Sequence, residues 1–312
     1  MNICKEEYES KLHTAITLGK FDGIHLGHGE LLVELKRQKE KGMSTLLFTF
    51  SKSPQVYLNQ TEEVSIFSKE EKMDFFNQIP WLDNYYEVQV TKEFLDLEPE
   101  EFVKKYLVDK FRVKHVIVGE DFRFGHNKKG DVSLLKELGD VYHYTVTSIK
   151  KIKKQKVEIS STDVRKILEQ GEMKKANKIL GHPFYLMGTV LHGRRLATEL
   201  GFPTANVEYP KEKIQIPFGV YATKIEVEGN FFHGITNVGT KPTVTEEKKV
   251  LAESYLFDFK GEIYGKQIKI YFYEFLRPEL KFETIGHLKI QMQQDVEKAK
   301  IICHGNDGFQ EY

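Results

Sequence analysis

The feature that most constrains the fold is a change of hydrophobic period part-way along the chain. Up to about residue 146, apolar runs of strand length alternate with stretches of helical spacing, whereas beyond residue 183 short β segments separated by turn residues take over. Residues 14–18 read as a strand, 25–41 as a helix and 44–50 as a buried strand, which together make a βαβ unit. The alternation continues with helix 69–78, strand 85–90, helix 99–106, strand 115–118, helix 132–138 and strand 141–146. Such an order predicts a mostly parallel sheet with helices on both faces. Two further helices, 160–171 and 173–180, end at Gly181-His182-Pro183. After them, segments 221–227 and 231–238 flank the hairpin signal Glu228-Gly229-Asn230, and 251–259 and 267–273 flank residues 260–266. A small closed β-barrel is expected, with the amphipathic segment 285–302 packed on it. The expected domains are 1–183 and 184–312, with no internal repeat.

Charge limits the partners. Lysine plus arginine (46) balances aspartate plus glutamate (46), so no whole-molecule field draws the chain to nucleic acid or an anionic membrane, and phosphate recognition must be local. The lysine-rich stretch 150–156 lacks interleaved aromatics and reads as a solvated loop. Cys4 and Cys303 have no metal-like spacing and suit a reducing compartment. Residues 1–10 carry no apolar segment of signal type, and no later run is long enough to span a bilayer, so the cytoplasm is the expected location.

The turn after the first expected strand reads Leu18-Gly19-Lys20-Phe21-Asp22-Gly23-Ile24-His25-Leu26-Gly27-His28. Glycines stand where the chain turns tightly, and His25 and His28 lie about one helical turn apart, so their rings share a side. A helix start offers an anion free N–H groups and the positive end of its dipole, and Gly27 lets a nucleotide approach the backbone. Two histidines at this spacing also suit a metal pair or ordinary surface positions. A second helix start, Ile159-Ser160-Ser161-Thr162-Asp163-Val164-Arg165, is a good cap. It equally makes a phosphate clamp of N–H groups, hydroxyls and a planar guanidinium, and two such helix starts in one α/β domain point to phosphate binding. Between them, Val118-Gly119-Glu120-Asp121-Phe122-Arg123-Phe124-Gly125 follows a strand at the edge where open α/β sheets bind ligands. Its aromatics suit either a pocket or the core.

The segments FDGIHLGH (21–28), GEDFRFG (119–125) and ISSTDVR (159–165), in that order, resemble the adenylyltransferase module of the prokaryotic bifunctional riboflavin kinase/FAD synthetase family. The resemblance covers nearly the whole chain and implies an α/β plus β fold. A Rossmann-like nucleotidyltransferase domain with a parallel sheet precedes a small Greek-key β-barrel of riboflavin kinase type with a terminal helix. It implies transfer of AMP from ATP to FMN, giving FAD and pyrophosphate, with Mg2+ assisting departure. By the same resemblance His25 and His28 contact ATP phosphates, and Gly19, Phe21, Asp22 and Gly27 shape the ATP site. Ser160, Ser161, Thr162 and Arg165 hold the triphosphate, and Asp121, Phe122 and Phe124 form the flavin pocket. FMN is already an anionic nucleophile, so in-line placement and charge neutralisation matter more than a general base. Where the family reads a Pro-His-Pro type segment after the second strand, this chain has Phe50-Ser51-Lys52-Ser53-Pro54.

In the second half, Leu200-Gly201-Phe202-Pro203-Thr204-Ala205-Asn206 sets a hydroxyl and an amide two residues apart, on one side if extended. Such oxygens suit magnesium, and they equally suit a turn with local hydrogen bonds. Glu253 alternates with Leu251, Tyr255, Phe257 and Phe259 and is expected to point into the barrel, as a base toward a substrate hydroxyl. FPTAN (202–206), Gly219-Val220-Tyr221-Ala222, residues 237–243 and Leu276-Arg277 resemble the riboflavin kinase module of the same family. That resemblance implies Thr204 and Asn206 at Mg-ATP, Gly193 at the nucleotide, Arg277 at the flavin and Glu253 as base for the ribityl hydroxyl. The family's glycine-arginine pair before FPTAN is replaced by Ala197 and Thr198. Alternatives are therefore a monofunctional FMN adenylyltransferase with a degenerate second half, a related nucleotidyltransferase acting on another phosphate ester, or a flavin-binding regulator without turnover. The expected partners are flavins and ATP, with no nucleic acid and no membrane, on a monomer or weak homo-oligomer.

Overall fold

The structure, a computed structural model, describes residues 1–151, 153, 154, 157, 158, 160–191, 204–241 and 249–304. The chain divides into two compact units, one formed by Met1–Glu63 with Lys72–Ser160, the other by Val64–Glu71 with Ser161–Tyr312.

The first unit opens with β1 (Asn2–Cys4), β2 (Thr14–Leu18), α1 (Leu26–Glu40), β3 (Ser44–Phe50) and α2 (Pro54–Asn59). It continues with most of α3 (Lys69–Asn77), β4 (Asn84–Val88), α4 (Lys92–Leu95) and α5 (Pro99–Phe102), which runs on as a π-helical segment, Val103–Lys110. β5 (Val113–Gly119), α6 (Val132–Tyr142), β6 (Thr145–Ile149) and a short hairpin of β7 (Lys153–Lys154) and β8 (Val157–Glu158) complete it. The six-stranded sheet has the order β1-β4-β3-β2-β5-β6, and every pairing is parallel. All of β2 and nearly all of β3 are buried, as expected of parallel strands covered on both faces. From β2 the chain steps to β3 and then β4, then crosses to the other side of β2 for β5 and β6. The strand order therefore reverses at β2 and β5, so their carboxyl ends flank the crevice in which open α/β sheets bind ligands.

One expectation for this unit fails. Residues 141–146, read as a strand, are instead the end of α6 followed by β6 from Thr145. His143 takes a left-handed conformation (φ 60°) and its N–H caps the Gly139 carbonyl, so the helix keeps Val141 and Tyr142. A short apolar run fits both periods, and the helix terminator decided between them.

The second unit contains α7 (Ser161–Glu169), α8 (Met173–Leu180), β9 (Phe184–Thr189), β10 (Thr204–Glu208), β11 (Gly219–Val227) and β12 (Asn230–Lys241). β13 (Lys249–Leu256), β14 (Gln267–Pro278) and α9 (Ile285–His304) follow. Its six strands order as β10-β13-β12-β11-β14-β9, all antiparallel. β11, β12 and β13 are consecutive and β14 returns beside β11, which is a Greek key. The sheet curls until its edges meet, where Leu191 N–H donates to the Asn206 carbonyl at 2.7 Å. Gly188 permits this, because a Cβ there would lie 2.5 Å from Val207 Cγ1. Glu228 (φ 50°) and Gly229 (φ 79°) form the two-residue turn between β11 and β12, both central residues having the positive φ of a type I′ turn. On the inner face the hydroxyls of Thr223, Thr236 and Ser254 link in a chain at 2.9 and 2.8 Å. On the outer face Val220, Ala222, Ile235 and Phe257 pack with Val296, Ala299 and Cys303 of α9.

Segment Val64–Glu71 belongs to this second unit, which the sequence reading did not anticipate. Ser65 adds to the 212–214 stretch, donating to Glu212 O at 2.8 Å and accepting from Ile214 N at 2.7 Å. Ser68 and Glu71 form a capping box at the start of α3 (Ser68 N to Glu71 Oε2 2.8 Å, Glu71 N to Ser68 Oγ 3.2 Å). The Glu71 carboxylate also accepts from Met187 N–H at 2.9 Å and pairs with the Lys213 ammonium, both charged side chains being 0% exposed. α7 and α8 lie in the same unit; Asn177 on α8 donates to Phe272 O and accepts from Phe184 N, each at 2.8 Å.

Candidate active sites

In the first unit the turn from β2 to α1 carries three residues with positive φ, Phe21 (50°), Gly23 (75°) and Ile24 (44°). Two of them are not glycine, so the surrounding contacts hold a conformation the chain would not choose alone. Phe21 is fully buried, edge-on to Phe76 of α3 at 5.9 Å and tilted against His28 at 5.0 Å. His25 caps α1, its carbonyl accepting from His28 N–H (2.7 Å) and Gly29 N–H (3.1 Å). The two imidazoles stack, with centroids 3.9 Å apart. Gly27 makes room for this, since a Cβ there would stand 3.1 Å from the His25 ring. Asp22 is buried in the turn, and a Cβ on Gly19 would press the Phe21 ring at 3.1 Å.

Enclosure of its ring, then the neighbouring His25 and Lys72 charges, hold the His28 pKa well below the usual histidine value, so the imidazole is neutral at physiological pH. His28 Nδ1 is buried and has no hydrogen-bond partner among the described residues. His28 stands in the first turn of α1, where N–H groups and the helix dipole favour an anion. Among the described residues no group of three His, Cys, Asp or Glu side chains could hold a metal ion, so nothing there completes a site for the histidine pair.

The loop after β5 stands beside this turn at the switch point. Phe122 N–H donates to Gly119 O at 3.0 Å, which folds the chain back. Phe122 and Phe124 stack at 5.7 Å. Phe124 is buried against Phe102 in the core, whereas Phe122 is half-buried and Asp121 exposed and paired with Lys151 at 3.1 Å. Of the three residues expected at the flavin, Asp121 and Phe122 thus reach solvent and Phe124 is part of the core. Gly125 closes the loop at φ 71°; a Cβ there would lie 2.7 Å from Pro99 Cγ and 2.8 Å from Pro99 Cα.

Ser160 ends the first unit, while Ser161, Thr162 and Arg165 open α7 in the second. Ile159 of that motif lies outside the described residues, as do Gly193, Ala197, Thr198 and residues 201–203.

On the curled sheet Asn206, Glu253 and Asn237 are cross-strand partners, in that order across β10, β13 and β12, and Thr204 pairs with Tyr255. Paired residues share a face, so Thr204, Asn206, Glu253 and Asn237 stand together. That face is the outer one, which carries Tyr255 and Ile235 toward α9, and not the barrel interior. The expected inward direction of Glu253 is thus corrected: the inner positions of β13 are Ala252, Ser254 and Leu256, all buried, while Leu251, Glu253 and Tyr255 are half-buried. Aromatic alternation gave the period but not which side was interior. Asn206 is 3% exposed, its Nδ2 donates to Thr204 O at 3.4 Å, and its Oδ1 is buried with no partner among the described residues.

Arg277 is held by Asp295 of α9, Nε donating at 2.9 Å and Nη2 at 2.8 Å, with Nη1 on Pro278 O at 3.0 Å. Asp295 in turn accepts from Gln291 at 3.0 Å.

Sequence reasoning missed Asp295, and it missed Lys72 of α3, whose ammonium donates to Lys20 O and to Thr49 Oγ1, each at 2.9 Å. The available signal was its place one helical turn before the buried Phe76.

Comparison with known proteins agrees with this layout. Residues 7–163 match the FAD synthetase family and residues 180–303 the riboflavin kinase family. Bifunctional riboflavin kinase/FMN adenylyltransferases of Buchnera aphidicola and Bacillus subtilis are 37% and 34% identical, over 92% and 93% of this chain and 93% of each relative. The Escherichia coli protein of that name is 32% identical over 90% of both chains. A crystal structure described as a macrolide-efflux protein from Streptococcus pneumoniae matches with a TM-score of 0.86 at 26% identity, covering 96% of this chain and 98% of that one. Among the described residues no helix is long and apolar enough to cross a membrane. With both family halves in order, the paired sheet architectures beneath them and near-full-length relatives, this chain belongs to the bifunctional riboflavin kinase/FMN adenylyltransferase family.

Proposed function

We propose that the turn at Gly19–His28 and the Phe122 loop carry adenylyl transfer, and that the face bearing Thr204, Asn206 and Glu253 carries phosphorylation. The chain converts riboflavin and ATP to FMN and ADP, and FMN and ATP to FAD and pyrophosphate; both family halves support this over a single-activity enzyme or a silent binder. The observation that carries the adenylyl site is the topology: the strand order reverses where β2 and β5 adjoin, and both candidate loops leave those strands' carboxyl ends. The N–H groups at the start of α1 and the His25 and His28 imidazoles, His28 being neutral, donate to ATP phosphate oxygens. Ser160, Ser161, Thr162 and Arg165 are assigned to ATP phosphates by their motif. The phosphate of FMN supplies its own negative oxygen, so these groups place it in line and offset developing charge.

In the second unit Glu253 accepts the ribityl hydroxyl proton as that oxygen attacks the γ-phosphorus of ATP and the bond to the β,γ-bridging oxygen breaks, releasing ADP. The Asn206 Oδ1, buried and without a partner among the described residues, and the Thr204 hydroxyl on the same face fit a hard cation, and magnesium held there would supply charge neutralisation at the phosphates. Gly193 and Arg277 are assigned to nucleotide and flavin by motif. The functional limits are taken as 1–183 and 184–312. The setting is taken as cytoplasmic, with no nucleic-acid partner and a monomeric or weakly associating chain.

The test is product analysis by chromatography, first from riboflavin and then from FMN. Glu253→Gln is expected to lose FMN formation while still making FAD from supplied FMN. Wild-type protein yielding no FAD from FMN, or the variant phosphorylating riboflavin at the normal rate, refutes the corresponding half.

A further inference from the structure

The turn that presents His25 and His28 needs an anchor, because Phe21 and Ile24 both hold positive φ without being glycine. α3 supplies one. Lys72 Nζ donates at 2.9 Å to the carbonyl of Lys20, the residue before Phe21, and at 2.9 Å to Thr49 Oγ1, while Thr49 Oγ1 itself donates to the same carbonyl at 3.1 Å. One helical turn on, Phe76 packs edge-on against Phe21, and the other side of Phe21 meets His28 at 5.0 Å. Helix α3 thus grips the turn twice, once by backbone and once by ring, and the gripped ring is the one His28 rests on.

We propose that Lys72 is a positioning residue for the adenylyl-transfer step, its ammonium fixing the Lys20 carbonyl and hence the seat of Phe21 against His28. This rests on the assignment of the Gly19–His28 turn to ATP. Lys72 does not touch the reacting atoms; it acts through the turn. A displacement of about 1 Å at a phosphate-binding group lowers a rate by roughly 100-fold, so a loose turn is costly.

The titratable groups around Lys72 come from several elements: Glu87 on β4, Asp22 and Lys20 in the turn, Glu63 beyond α2, and the neutral His28 on α1. Burial outweighs Glu87, Asp22 and Glu63 and brings the amine down to about 8. The ammonium form that grips the carbonyl is then lost just above neutrality. A neutral amine still donates, but more weakly and without the charge that strengthens the bond.

The experiment uses the full chain, with riboflavin phosphorylation as the internal control for folding. Lys72→Met is expected to lower kcat/KM for FAD formation from FMN about 10- to 100-fold, with riboflavin phosphorylation within about twofold of wild type. Wild-type FAD formation is expected to decline above about pH 8. Lys72→Arg, which stays charged, is expected to recover part of the rate and to lack that alkaline decline. Full FAD formation by Lys72→Met, an equal fall of both activities in it, or an unchanged alkaline limb in Lys72→Arg overturns the proposal. Wild-type protein making no FAD at all would instead remove the underlying assignment, and the proposal with it.

Discussion

Replacing Lys213 by methionine tests how the Val64–Glu71 segment is fixed in the second unit. Methionine nearly matches lysine in length and fills the slot between Phe184 and Phe67, whose ring centroids lie 4.4 and 5.3 Å from the ammonium. The change therefore removes charge with little loss of packing. It leaves the Glu71 carboxylate, 0% exposed, with the Ser68 and Met187 N–H donors but no counter-charge among the described residues. Removing one partner of a buried pair costs about 3–5 kcal/mol. Ile66 O also loses the donor it had at 2.8 Å, adding on the order of 1 kcal/mol. For a unit of this size the two losses together are a fall in Tm of roughly 8–24 °C. The assay is scanning calorimetry, with the affected transition identified by parallel loss of riboflavin phosphorylation. Adding Glu71→Gln should restore part of the loss, because the stranded charge is gone while one amide oxygen can still accept. A single variant within about 1 kcal/mol of wild type, or a double variant no better than the single, would show that the pair contributes nothing net.

His28 and His115 are both held below the usual histidine pKa, in each case chiefly by burial. The unfolded chain then binds more protons as pH falls through 6.5, so the first unit should lose stability on acidification and regain it on return to neutrality. Urea midpoints followed by Trp81 fluorescence read this, and His28→Asn should flatten the slope. Gly125→Ala forces a methyl group to 2.7 Å from Pro99 at φ 71°, and should cost about 1–3 kcal/mol in the first unit. In steady-state assays it should raise the KM for FMN in FAD formation and leave riboflavin phosphorylation unchanged.

The sequence by itself determined the layer architecture, the order of the elements and the turn chemistry. The apolar period distinguishes a βαβ chain from an antiparallel one, and the Gly19–His28 motif marks where the turn falls, although contacts from α3 hold its positive-φ residues. What only tertiary structure decided are the relations between residues distant in the chain. Which side of β13 is interior depends on where α9 lies, so Glu253 could not be aimed from its own strand. Lys72 and Glu71 are consecutive in a polar stretch, yet one grips the Lys20 carbonyl and the other pairs with Lys213, more than 140 positions away by the residue numbering. A local period records burial, and it records nothing of the partner that makes a buried charge tolerable. That information enters only when the second strand, helix or turn arrives.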